Sequence, residues 1–420
     1  MMKKNSNSIM EYALAFLFVL PYAETGPIIE FCHFTTSNTY WRAILTIELV
    51  ILVVLMPIGI LRLRTKDKKL HSIKSCIMPF IAILFFCLIF SFLINGIALN
   101  STTKFLMILV PLMNAYLVQK LIVYKGYDIY SIIRKSVFFF ALFVVFSIIF
   151  NIVNYGFTIN FSDETKRLTA SAGGPVILGY TISVVFAFVL SHRECFKRIE
   201  LLFVFSILLL GIFLTQDRGA LLILGICGIY LLKKFSIKEK ALILFFVILS
   251  IPFIINEIRD SVFFERLTES KISNDARVIS LLAALSIYFE DFWYIFLGHG
   301  LEGFFPYQHW LLNTSPGDVF TDTYYNIVQY GDKYVLVQPH NTFIYFLMEI
   351  GFVGVYFFCR MLYKIYKNSG ENKSSLMLVL ISIICMSMLE SALILEPGIA
   401  CTLWLMLFYS FMYKPINRHR

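Results

Sequence analysis

Apolar runs near the length of a bilayer crossing, joined by connections that are alternately rich and poor in lysine and arginine, leave this chain few ways to fold. In hydrocarbon every backbone N–H and C=O must be paired within the chain, so such runs become helices or the strands of a closed barrel. Their length, and the lack of sustained period-two alternation, select helices. About twelve spans are expected, over roughly 8–22, 43–61, 76–98, 104–124, 136–154, 175–191, 199–215, 219–232, 240–256, 341–362, 375–394 and 397–413. The expected fold class is all-α, a polytopic membrane protein with one large outer loop. Its three regions are 1–256 (nine helices), 257–340 (the loop, with helical segments) and 341–420 (three helices).

Charge sets the orientation. Lys3-Lys4, Arg62 to Lys74, Lys120 to Lys135, Arg193 to Arg198, Lys233 to Lys240, Arg360 to Lys373 and Lys414 to Arg420 hold about 26 of the 36 basic residues, and the intervening connections about 10. Cytoplasmic loops carry the Lys/Arg excess, so both termini are expected there. A hydrophobic share of 59% and a mean hydropathy of +0.77 exclude a soluble domain. The net charge of +9 therefore reads as membrane topology, and no nucleic-acid partner is expected. The cysteines fall mostly inside apolar runs with no Cys-x-x-Cys, so neither a disulfide framework nor a zinc site is expected. Pro21-Tyr22-Ala23 makes a poor cleavage site, which favours a retained first helix.

The connection from about Asn256 to Pro339 is too long for an idle linker. A helix is expected over Asp275 to Phe292, capped by Ser273 or Asn274; its apolar part, Val278 to Phe289, is too short to span and would lie along the interface or on the bundle.

Polar residues on the sparsely charged side carry the chemistry. Pro339 marks the start of the tenth span, which puts His340 in or near the first turn of a membrane helix. Exposed N–H groups there favour a neutral imidazole able to take a proton; a capping or interfacial histidine is the competing reading. On a continuous helix Gly351 and Gly354 would share the His340 face, about 20° and 40° from it, and Glu349 would lie about 180° away. A buried Glu349 is expected to pair inside the bundle. Arg218, in Thr215-Gln216-Asp217-Arg218-Gly219, sits in a tight outer turn near hydrocarbon. It would bind a phosphate or diphosphate, or else pair with Asp217 or reach to the surface. Arg277, in the first turn of the loop helix, opposes the helix dipole; with the helix N–H groups it would make an anion site, or it is a solvated surface residue. Arg167 precedes Gly173-Gly174-Pro175, a weak phosphate-binding signal. Arg259 and Arg266 open the large loop as structural charges or substrate contacts. His33, His299 and His309 read as surface histidines. No metal-ligand spacing and no nucleophile elbow is visible.

Several of these pieces follow one order: Arg167-Leu168-Thr169, Thr215-Gln216-Asp217-Arg218-Gly219, Asn274-Asp275-Ala276-Arg277, Leu297-Gly298-His299-Gly300-Leu301, and Pro339-His340-Asn341 followed by Glu349-Ile350-Gly351-Phe352-Val353-Gly354. This resembles the O-antigen ligase/polymerase superfamily of bacterial envelope glycosyltransferases, over roughly 165–362. The family usually has Ser before the Arg-Gly of the turn; here Asp217 stands there. The resemblance implies a donor glycan on undecaprenyl diphosphate, an acceptor glycan, and inverting transfer without metal or other cofactor. It implies a bacterial inner membrane location with the site facing the periplasm, and a chain-length regulator as a further partner. His340 would match the proposed base, Arg218 and Arg277 the diphosphate-binding arginines, with Arg167 beside them and Arg266 and Asn341 as substrate contacts. The expected reaction is polymerisation of lipid-linked repeats. Transfer to lipid A-core by a ligase shares these motifs, and a transporter or flippase would be suggested by the span count alone. Against the last, the polar features gather at one end and the two halves show no repeat.

Overall fold

The computed structural model describes residues 2–19, 50–55, 67–95, 99–155, 168, 174–232, 284–285, 288–289, 292–301, 327–330, 333–336, 341–390, 392–395 and 397–413, and the structural statements below concern these. The helices are α1 (Met2–Phe16), α2 (Lys68–Asn95), α3 (Leu99–Lys125), α4 (Ile129–Tyr155), α5 (Gly174–Ser191), α6 (Arg198–Thr215), α7 (Arg218–Leu232), α8 (Phe292–Leu297), α9 (Thr342–Lys367), α10 (Lys373–Leu389), α11 (Ala392–Leu395) and α12 (Pro397–Met412). Among the described residues six helices are long and apolar enough to cross a membrane, and Val176–Ser191, Arg218–Tyr230 and Gly398–Met412 are shorter apolar helices. The chain is an all-α polytopic membrane protein. The expected spans at 8–22, 76–98, 104–124, 136–154, 175–191, 199–215, 219–232, 341–362, 375–394 and 397–413 each overlap a described helix. The span at 240–256 lies outside the described residues, and that at 43–61 is described only over 50–55.

Two features depart from the expected layout. The span at 375–394 is interrupted: α10 stops at Glu390, whose extended backbone (φ −149°, ψ 155°) begins a corner, and Pro397 then opens α12. Proline suits that first helical position because its missing N–H would have had no helical partner. The large loop also contains an antiparallel hairpin, β1 (Ile327–Tyr330) with β2 (Lys333–Leu336), in which Ile327 faces Leu336 and Tyr330 faces Lys333. Its signal lies in the sequence as two runs of β-branched and aromatic residues around Gly331-Asp332.

α5 and α12 form the centre, packed on by α3, α6, α7 and α10. Phe18 reaches in to stack on Phe188 at 6.2 Å, and α4 closes the same core with Phe140 edge-on to Phe18. On the other side α9 lies against α2, where the Phe80, Phe346 and Phe358 rings interlock.

The charged helix ends meet at one pole. Lys69 Nζ at the start of α2 donates to the carbonyls of Phe411 (3.2 Å) and Tyr413 (3.2 Å) at the end of α12. Asn372 Nδ2 donates to Phe411 O (3.1 Å) and to Tyr413 O. Asn368 Nδ2, after α9, reaches Ser72 Oγ of α2 (2.9 Å), and Tyr230 of α7 meets Ser374 of α10 (3.1 Å). Arg134 of α4 pairs with Glu200 of α6 at 2.5 Å. Among the described residues, the basic helix ends thus share one pole, the arrangement that the positive-inside pattern favours. It follows that α3, α5, α7 and α9 start, and α2, α6 and α10 end, at the opposite pole.

Candidate functional site

The opposite pole gathers the described parts of the sequence motifs. α6 ends in Gln216, a non-glycine residue in the left-handed region (φ 51°, ψ 36°) whose N–H returns to Phe213 O. Thr215 Oγ1 also turns back, to Ile212 O at 2.7 Å. Asp217 Oδ2 then accepts from Ala220 N at 2.7 Å, so Asp217 is the N-cap of α7. Arg218 is the first residue of α7 and half-buried. A cation at a helix N-terminus is locally unfavourable, but together with the neighbouring N–H groups it suits an anion. The turn is held by close contact with α5. A Cβ at Gly179 would lie 2.6 Å from Thr215 Oγ1, and one at Gly219 would overlap the Tyr180 ring. Leu168, fully buried, donates its N–H to Leu214 O at 2.9 Å, which ties Leu168 to the last turn of α6.

Asn341 is the N-cap of α9. Its side chain accepts from Phe343 N (2.9 Å) and Ile344 N (3.1 Å), while its Nδ2 donates to Met388 O (2.9 Å). Thr342 Oγ1 donates to Glu390 O at 2.9 Å. The start of α9 is thus stitched to the corner after α10, with buried Glu390 beside it. Four candidate side chains, His340, Arg277, Arg167 and Arg266, lie outside the described residues, as do Arg259, His33 and His309. His340 precedes the Asn341 cap by one position.

The expectation of a continuous helix through Gly351 does not hold. Gly351 has φ 64° and ψ −175°, a conformation essentially reserved for glycine, and α9 breaks there. An unbroken helix would pair the carbonyls of Met348 and Glu349 with N–H groups of the next turn. Here they accept instead from His299 N (2.8 Å) and Gly300 N (3.0 Å). The Gly298-His299-Gly300 segment therefore enters the break and supplies the missing donors, which is the condition for irregular backbone inside a membrane bundle. Gly298, Gly300 and Gly351 all have positive φ, and a Cβ at Gly298 or Gly351 would collide with the facing backbone. The loop is also anchored to α2, because Ser91 Oγ donates to Leu301 O at 2.9 Å and meets Ser101 Oγ of α3 at 3.1 Å. The break lies about 15 Å along α9 from its start.

His299 is consequently not a surface residue. It is 9% exposed, stacked on Tyr294 at 3.9 Å, with Nδ1 3.3 Å from Met348 O. A Gly-His-Gly sequence reads as an exposed turn until the helix it threads is known. Glu349 is fully buried, as its place in an apolar run implies. Of the two glycines placed on the His340 face for close helix packing, Gly351 is the break itself.

Two polar residues at this pole escaped the sequence reading. Lys104 of α3 is 4% exposed, its ammonium 4.8 Å from the Tyr345 ring centre, one turn below Asn341. Glu390 lies at the corner after α10. Each is a charge inside or at the rim of an apolar run, a signal that attention to the basic alternation passed over. Among the described residues no group of three His, Cys, Asp or Glu side chains is placed to hold a metal.

Residues 203–359 match the family model Wzy_C, described as O-antigen ligase. The match supports the O-antigen ligase/polymerase superfamily. It begins in α6, takes in the Arg218 turn, the large connection and the Gly298–Gly300 segment, and ends in α9 beyond the break. No curated protein matches the chain. The matched region supports a polysaccharide-related ligase or polymerase function.

Proposed function

We propose that the protein is a surface-polysaccharide polymerase. It transfers a growing glycan from undecaprenyl diphosphate to a sugar hydroxyl of the next lipid-linked repeat, at the periplasmic face of the inner membrane. His340 removes the hydroxyl proton as the oxygen attacks the anomeric carbon with inversion. Arg218 and Arg277 stabilise the charge on the departing diphosphate, with Arg167 beside them and Arg266 and Asn341 contacting sugar. No metal takes part. The observation that carries the reading is that the family match spans the turn presenting Arg218 and the helix whose first turn follows His340. The Leu168 tether, the Asp217 cap and the Asn341 cap add support, since all three belong to the pole opposite the basic helix ends. Asp217 is engaged by Ala220 N, so it acts on the turn's geometry where a serine would usually stand.

The family description favours a second reading, in which the acceptor is lipid A-core and the enzyme is a ligase. A deletion strain separates them. Lipopolysaccharide capped by single repeats marks a lost polymerase, and accumulated lipid-linked polymer marks a lost ligase. His340→Ala is expected to abolish chain growth with the protein still inserted; normal-length polymer in that strain contradicts the proposal.

A further inference from the structure

At the basic pole, far from the proposed chemistry, α1, α4 and α6 enclose a cavity of about 430 Å³. That volume falls within the range of small-ligand sites. Its wall is aromatic, with Tyr12, Phe138 and Phe139, and its polar groups are Arg134, Lys135 and Glu200. Tyr12 and Phe138 are about half exposed, so the cavity opens at the side of the bundle, where acyl chains run.

The two ion pairs here differ. Lys135 is committed to the fold: its ammonium lies 2.7 Å from Glu11 Oε2 and 4.2 Å from the Tyr12 ring centre, and Ser131 donates to the same Glu11 oxygen at 2.8 Å. Both side chains of that pair are well covered, at 18% and 14% exposure. Arg134 and Glu200 pair at 2.5 Å but remain 45% and 30% exposed at the cavity. One carboxylate contact leaves most of the five guanidinium donors available. Glu200 also accepts from Lys197 N through Oε2 at 3.1 Å, as the capping residue of α6, and keeps further acceptor sites. Arg134 is in the second turn of α4 and Glu200 in the first turn of α6, both at headgroup depth on the basic side.

We propose that this cleft binds a zwitterionic phospholipid, with its phosphate on Arg134, its primary ammonium on Glu200 and an acyl chain along Phe138 and Phe139. The charge balance selects that class. Among the described lining residues, Lys135 is already neutralised by Glu11 behind the wall, which leaves Arg134 and Glu200, so a purely anionic headgroup gains Arg134 but meets Glu200. A headgroup with one phosphate and one ammonium finds a partner for each. The site is independent of glycosyl transfer and stands whatever reaction the opposite pole performs.

The test uses the full chain in detergent micelles doped with equal amounts of phosphatidylethanolamine and phosphatidylglycerol, with retained lipid counted by native mass spectrometry. Wild type is expected to keep phosphatidylethanolamine with a preference of about fivefold, the worth of roughly one favourable charge contact at a membrane surface. Arg134→Gln with Glu200→Gln is expected to erase the preference; the pair is partly exposed, and a monodisperse gel-filtration peak confirms folding. Phosphatidylglycerol retained as well as or better than phosphatidylethanolamine by wild type overturns the proposal without any variant. An unchanged preference in the folded double variant overturns it too.

Discussion

The two poles of the bundle use polar groups in opposite ways. At the basic pole, side chains close the structure: Lys69 and Asn372 cap the last carbonyls of α12, and Lys135 and Arg134 pair with carboxylates of neighbouring helices. At the other pole, backbone conformation does that work. Gln216 departs from helical geometry there, and Asp217 and Asn341 cap new helix starts; about 15 Å deeper, Gly351 breaks α9 and the Gly298–Gly300 segment supplies the donors it lacks. Charge at the first pole is absorbed into folding and orientation. Charge at the second, in Arg218 and buried Lys104 and Glu390, is placed where it opposes either the local helix field or the surrounding hydrocarbon. Such placement is retained at a cost, which supports the proposal that ligand chemistry belongs to this pole.

Four changes press on that contrast. If Arg218 stabilises the leaving group as proposed, Arg218→Ala is expected to lower the transfer rate by about 10²–10³ with little change in thermal stability. Radiolabelled polymer formation measures it, and an equal loss of stability would move Arg218 to the structural side. Gly351→Ala should destabilise by at least about 3 kcal/mol, because a Cβ there meets the Phe296 carbonyl in a backbone region closed to alanine. A thermal transition in detergent reads it, and near-wild-type stability would mean that α9 straightens and the clasp is dispensable.

The third change is one of pH, at the basic pole. His192, just past α5, is fully buried with Nδ1 2.9 Å from Phe188 O, and burial holds its imidazole down at about 4. Because the folded state keeps it neutral while the unfolded chain takes a proton near 6.5, stability is full above that value. It falls as pH drops towards 4, by up to about 3 kcal/mol. Thermal transitions from pH 7 to 4.5 should therefore decline in wild type and decline less in His192→Phe. The smallest effect is expected for Asn341→Ala, about 1–2 kcal/mol for a lost N-cap. If activity falls much further than stability in that variant, Asn341 also serves the reaction, as the proposed sugar contact or by setting the approach of His340.

Helix positions and the pole assignment were legible because apolar length and Lys/Arg bias are local signals. The α9 start was legible from Pro339. What escaped depends on contacts between remote segments. Gly351 and Gly298 each look like ordinary small residues, and only their mutual approach shows that one breaks a helix and the other fills the break. His299 was misread for the same reason, since its burial is conferred by α8 and α9. Glu390 sat inside an apolar run, where one carboxylate does not announce a corner. Leu168 carries no polar side chain, yet its backbone N–H ties it to the last turn of α6, just before the Arg218 turn.

The most direct test is transfer by the purified protein in lipid nanodiscs supplied with one defined undecaprenyl-diphosphate-linked repeat and no metal. Wild type is expected to yield lipid-linked products of two and more repeats with release of undecaprenyl diphosphate, and His340→Ala none. Equal product from the two proteins, or no elongation until lipid A-core is supplied, would contradict the account.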